Sequence, residues 1–201
     1  MAKDNLSEPG FWGGIARDSL NRPREAARRL IALDPPTRDL LAAALAISCL
    51  GVMLAYAAMR IGGETIDPVS TELLSMPLLA AGVELVVMLA MGWLTWKVGA
   101  LFGGRGRPKA AMTLVVWLNA MLLGIQALQF LALAILPALA AAIALVGMVW
   151  ALWVFANYVT ELHGFENPLM VMGGVVLTGI VLMIGLGLLV AILGLTPHEV
   201  G

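Results

Sequence analysis

From Met112 to Tyr158 the chain carries no Asp, Glu, Lys or Arg. As one straight helix this run of roughly 47 residues would be about 70 Å long, more than twice the roughly 30 Å of hydrocarbon in a bilayer. It must therefore fold back on itself. Pro137 is the predicted turn, because it has no N–H to donate and disfavours helix at the residue before it. The outcome is a membrane hairpin with almost no loop outside the bilayer.

Three further stretches have the length and composition to cross a bilayer. The five predicted spans are Leu40 to Met59, Leu73 to Trp96, Met112 to Leu136, Ala138 to Tyr158 and Leu169 to Leu195. Composition agrees: 61% of the residues are hydrophobic and 12% charged, against about half and about a quarter in soluble domains. The predicted fold is all-α, a polytopic membrane protein built as a bundle of five transmembrane helices. It divides into an amino-terminal tail, residues 1–36, and a five-span domain, residues 37–201.

Lys and Arg mark the expected orientation, because cytoplasmic segments retain them. The segment before the first span holds Lys3, Arg17, Arg22, Arg24, Arg28, Arg29 and Arg38, and the loop after the second span holds Lys97, Arg105, Arg107 and Lys109. With five spans both segments lie inside, which puts the N-terminus in the cytoplasm and the C-terminus outside. The tail lacks the apolar core and cleavage site of a secretory signal peptide, so the first span is expected to act as an uncleaved anchor. Trp93 and Trp96 fall at the inner boundary of the second span, where indole rings favour the headgroup level.

Within the tail, "NRPREAARRLIAL" places Pro23 where a helix begins. Ala27, Leu30 and Ile31 share one side, with Arg24 and Arg28 toward the other. The pattern predicts an amphipathic interfacial helix leading into the first span. Its Arg24, Arg28 and Arg29, together with Lys97, Arg105, Arg107 and Lys109 of the loop, are candidate contacts for anionic lipid; setting topology is the alternative role.

Glu84 lies near the middle of the second span, where an acid costs about 2.5 to 3.5 kcal/mol on insertion scales. It should face protein rather than lipid. On the third span Asn119, Gln126 and Gln129 fall within about 80° of one another at 100° per residue. Counted from the inner ends at 1.5 Å per residue, Glu84 is about 18 Å deep and Gln126 about 21 Å deep, so a hydrogen bond between them is expected. Asn119 and Asn157 are expected to pair nearer the inner surface. This cluster either fixes helix pairing or marks an ion or substrate path. One acid with no second ionisable group at its depth favours the former. The fifth span carries Gly173, Gly174, Gly179, Gly185, Gly187 and Gly194, read as small-residue faces for close helix packing.

Catalysis and metal binding have little to work with. Cys49 is the single cysteine, which leaves no cysteine cluster for zinc or iron–sulfur, and His163 is one of two histidines, too few for a three-ligand metal site without remote carboxylates. "GGRGRPK" lacks the spacing and the strand of a phosphate-binding loop and is read as a flexible cationic loop. No cofactor and no nucleic-acid partner is expected.

The basic "PREAARRLIAL" prelude, the five spans, "LFGGRGRPKAAMTLVVWLNA" and "VWALWVFANYVTELHGFENPLMVMGGVVL" together resemble the Yip-domain membrane proteins, in their short bacterial form. The resemblance implies a compact five-helix membrane domain with a cytoplasmic N-terminus. The Asp-Leu-Tyr-Gly-Pro tail motif of the eukaryotic branch is absent, where the chain reads "LDPPTRDLL", so Rab-type GTPase binding does not carry over. The expected role is that of a non-enzymatic scaffold or organising protein of the bacterial inner membrane, contacting the lipid bilayer and other membrane proteins or copies of itself. The alternative is a small transporter, channel or lipid-handling protein working around Glu84.

Overall fold

The computed structural model describes residues 9–62 and 68–192. All of its regular structure is helical: α1 (Pro9–Asn21), α2 (Pro23–Leu33), α3 (Thr37–Gly62), α4 (Pro68–Ser75), α5 (Pro77–Leu101), α6 (Pro108–Leu133), α7 (Pro137–His163) and α8 (Pro168–Ile192). Seven of these eight helices open on proline. The ring presets a helical φ, and the missing N–H is one that the first turn has no partner for. The eighth, α3, follows the pair Pro35 and Pro36.

Helix ends are equally legible. Asp34 closes α2 at φ 41°, and short polar side chains tolerate that left-handed geometry. Gly103 at φ 84° and Gly164 at φ 72° turn the chain after α5 and α7. After α7 the N–H groups of Gly164 and Phe165 both reach the carbonyl of Thr160, which satisfies an orphan acceptor of the last turn.

Five helices, α3, α5, α6, α7 and α8, are long and apolar enough to cross a membrane. The chain is an all-α polytopic membrane protein. α6 is the central rod, packed against α3, α5 and α7, while α8 lies along α7. The second span differs from expectation: it starts at Pro77, not Leu73, because Pro77 ends the separate helix α4 at Ser75. Pro137 is the first residue of α7, and the turn itself is made by Ala134 to Leu136. Of the predicted fifth span, Leu193 to Leu195 lie outside the described residues.

The largest buried cluster is not in the middle of the span bundle. It joins Ile15 of α1, Ala26, Ala27 and Leu30 of α2, Ala111 and Leu114 of α6, and Val154 and Tyr158 of α7. A second cluster centres on Ala44, Met88 and Val115, where α3, α5 and α6 meet. By contrast, Leu145, Val146, Met148 and Val149 of α7 are exposed, as are Leu177, Val181 and Met183 of α8. Acyl chains cover such a surface without cost, since lipid tails are as apolar as leucine.

Candidate functional site

The amino-terminal helices are built into the membrane domain through one serine. Ser19 is completely buried. Its Oγ accepts a hydrogen bond from Trp117 Nε1 at 2.9 Å and another from the Tyr158 hydroxyl at 2.8 Å, and donates to the Ile15 carbonyl at 2.9 Å. One donor and two acceptor lone pairs exhaust a hydroxyl. α1 is thereby tied to α6 and α7 at once. Trp12 stacks on Trp117 with ring centroids 5.6 Å apart, and Arg29 of α2 lies over the ring of Phe11 and pairs with Asp18.

α2 is held to the end of α7 by charge. Glu161, with its side chain 15% exposed, accepts from Arg24 Nε at 3.2 Å and from Arg28 Nε at 2.6 Å. Arg24 and Arg28 are one turn apart, so one carboxylate spans both.

His163 organises the loop between α5 and α6. The residue is 3% exposed. Its Nδ1 accepts from the Gly106 N–H at 3.2 Å, and its Nε2 lies 3.1 Å from the Thr95 carbonyl. An acceptor at Nδ1 places the proton on Nε2, which donates to Thr95. The His163 carbonyl in turn accepts from the Arg105 N–H at 3.3 Å. A β-carbon at Gly99 or Gly104 would overlap the imidazole, and one at Gly106 would crowd it. The glycines of the "GALFGGRGRP" segment therefore make a seat for a side chain 57 or more positions away, in place of the flexible loop expected from the sequence.

Beside this seat lies an open cleft of about 480 Å³ between α2, the α5–α6 loop and the end of α7. Arg28, Arg105 and Arg107 line it together with Asp34 and Glu161, and Ile31, Ala110 and Leu162 provide apolar wall. Lys109 Nζ is 2.9 Å from Asp34 Oδ1 and Arg107 is 4.0 Å away. The hydrogen bond from Lys109 holds the Asp34 carboxyl below the usual carboxylate range. The seven cations singled out in the sequence thus separate. Arg24, Arg28, Arg29 and Lys109 bind carboxylates of the same chain, Lys97 sits 5.4 Å from the centre of the Trp96 ring, and Arg105 and Arg107 are exposed at the cleft, Arg107 at the 4.0 Å limit of a pair with Asp34.

Inside the bundle, Gly51 of α3 is the meeting point. Gln126 Nε2 donates to the Gly51 carbonyl at 3.0 Å, and a β-carbon at Gly51 would lie 2.9 Å from Glu84 Oε1. Glu84 is half-buried and faces α3 rather than bonding Gln126. Asn119 and Asn157 each donate to a carbonyl four residues back in their own helix, Val115 and Trp153, in place of the expected bond to each other. Gln129 is half-buried. In α8, added β-carbons at Gly173, Gly174, Gly179, Gly185 and Gly187 would meet nothing within 4 Å, so among the described residues no helix approaches these glycines closely; Gly194 lies outside the described residues.

Among the described residues no three of His, Cys, Asp or Glu converge in a metal-binding group. A family model for the Yip1 domain matches residues 17–192. The chain belongs to the Yip1-domain family. No curated protein and no solved structure matches it. The Yip1 match begins at Arg17, inside α1, and so includes Ser19 and all of α2. Sequence reasoning passed over Ser19, Gly51, Glu161 and the anchoring role of His163. The clustered glycines Gly99, Gly104 and Gly106 were the one available signal for His163; nothing local marks Ser19 or Gly51.

Proposed function

We propose that this Yip1-domain protein is a non-enzymatic organiser of the bacterial inner membrane, with α1 and α2 at the cytoplasmic face and the C-terminus outside. The division into an amino-terminal segment, residues 1–36, and a five-span domain, residues 37–201, belongs to the same proposal. The amino-terminal helices act as a fixed platform on one leaflet, which other membrane proteins or a second copy of the chain engage. The observation that carries this reading is Ser19, whose three hydrogen bonds make α1 part of the largest core. A tail that only set topology would have no need of that docking.

Reconstitution tests it. At a fixed protein-to-lipid ratio the full chain should alter vesicle diameter or shape and crosslink to itself or to a membrane partner. Ser19→Arg, which forces a charge into a fully buried position, should abolish both while all five spans stay inserted. A strict monomer that leaves vesicles unchanged and captures no partner contradicts the proposal.

A second reading, transport or lipid handling at an intramembrane polar site, draws on the half-buried Glu84 carboxyl against Gly51. It requires solute flux that is lost in Glu84→Gln and kept in Lys97→Gln.

A further inference from the structure

We infer that the cleft between α2, the α5–α6 loop and the end of α7 binds the phosphate of an anionic lipid headgroup, with Arg28, Arg105 and Arg107 as its ligands. Three separate features point there. The first is convergence: the three arginines come from two segments more than 70 positions apart and line one cleft of about 480 Å³. The guanidinium fork matches phosphate oxygens in pairs, and it is less strongly hydrated than an ammonium, so it gives up water more readily.

The second is preorganisation. The N–H of Arg105 and that of Gly106 are bonded to the carbonyl and to Nδ1 of His163, so the backbone carrying Arg105 and Arg107 is fixed before any ligand arrives. Arg28 is fixed likewise by Glu161 at 2.6 Å. Ligands already ordered lose less entropy on binding. The carboxylates Glu25, Glu161 and Asp34 are outnumbered by the cations around them: Glu161 is shared by Arg24 and Arg28, Arg28 also meets Glu25, Asp34 is bound by Lys109 at 2.9 Å with Arg107 only at 4.0 Å, and Arg105 is in none of these pairs. Arg105 and Arg107 remain exposed.

The third is the wall. Ile31, Ala110 and Leu162 stand beside the cationic groups. A free phosphate has no use for apolar surface, whereas a lipid presents a phosphate and, within a few ångströms, its glycerol and acyl chains. Cations over apolar wall match that boundary.

This inference rests on the surface placement of α1 and α2 proposed above, and the experiment separates the two. The full chain is delipidated in detergent and examined by native mass spectrometry with phosphatidylglycerol, with phosphatidylcholine, and with inorganic phosphate as competitor. Phosphatidylglycerol should be retained in preference to phosphatidylcholine and resist inorganic phosphate. At about fivefold per cation near a lipid surface, Arg105→Gln/Arg107→Gln should weaken retention about thirtyfold. Arg17→Gln/Arg22→Gln, the same charge change on the α1–α2 segment outside the cleft, should leave it within about twofold, because exposed charges that do not touch the headgroup are screened by salt and water. If the glutamine pair fails to fold, Arg105→Lys/Arg107→Lys keeps charge without the fork and should still lose affinity. Equal retention of the two lipids, equal losses in the two glutamine pairs, unchanged retention in a folded lysine pair, or occupancy by inorganic phosphate without lipid preference would overturn the inference. Vesicle remodelling that survives such a result leaves the organising role standing and removes only the headgroup site.

Discussion

Tyr158 and Ser19 are 139 positions apart, and the hydroxyl of the one donates to the hydroxyl of the other at 2.8 Å in a fully buried setting. Trp117 donates to the same oxygen. Ser19→Ala removes the acceptor for both donors and leaves them buried without partners, which costs about 1–3 kcal/mol each when no water enters. The expected result is a loss of that order in detergent unfolding titrations. Tyr158→Phe, which deletes one donor cleanly, should cost about 1 kcal/mol. Equal effects of the two would show that Ser19 does not serve both rings.

His163 predicts a protease phenotype. The Arg105–Gly106 bond is of the kind trypsin cleaves, whereas Arg107 precedes Pro108 and resists it. With the loop seated on His163, cleavage after Arg105 requires local opening. His163→Ala removes two hydrogen bonds to the ring, about 1 kcal/mol each, so cleavage should accelerate by roughly tenfold or more. Gly104→Ala, whose β-carbon would overlap the ring, should do the same with His163 intact. Unchanged cleavage in both would mean the loop is not held there.

Asp34 supplies a pH dependence. Its carboxyl is held low first by the Lys109 hydrogen bond, with the charges of Lys109 and Arg107 adding to it against a desolvation that opposes them. A depressed folded value means the tie between the end of α2 and the start of α6 is fully present above the ordinary aspartate range of about 3.9 and is lost as pH falls through the lower folded value. Infrared or NMR titration should place the Asp34 midpoint below that of a free aspartate, and Lys109→Gln should move it back up. A wild-type midpoint at the ordinary value would contradict the pairing.

Gly51 should tolerate little. Gln126→Leu removes one interhelical hydrogen bond, about 0.6–2 kcal/mol in membranes. Gly51→Val adds bulk against Glu84 Oε1, 2.9 Å from the nearest β-carbon position, and should lower thermal stability by more than Gln126→Leu does. A Gly51→Val variant as stable as the parent would show that α3 and α5 do not close on that residue.

The sequence was most informative where one residue type acts alone. Long apolar runs announced the five spans, four of them without a charged residue, and Pro23 marked a helix start, because hydrocarbon and a fixed φ act locally; Pro137, the predicted turn, instead opens α7 just after it. Helix α1 was not legible: "PGFWGGIARDSLN" contains Gly10, Gly13 and Gly14, poor helix formers, and holds its shape by docking Ile15 and Ser19 into a core supplied by distant helices. The end of α4, Leu73 to Ser75, was merged with the second span because the apolar stretch that begins at Leu73 continues through Pro77. In the polar interior the residue types were readable and their partners were not. Gln126 bonds the Gly51 carbonyl, and a backbone oxygen leaves no trace in a search for polar side chains. Asn119 and Asn157 bond their own helices, an outlet open to short amides that periodicity ignores.

Through Ser19 the amino-terminal helices and the membrane bundle form one body. Spin labels at Gly13→Cys on α1 and Glu166→Cys after α7, with Cys49→Ser to remove the native thiol, give their separation in nanodiscs by pulsed electron resonance. One narrow distance distribution, broadened by Ser19→Arg, is the predicted result. A broad distribution in the chain with Ser19 intact, with the five spans still inserted, would contradict it.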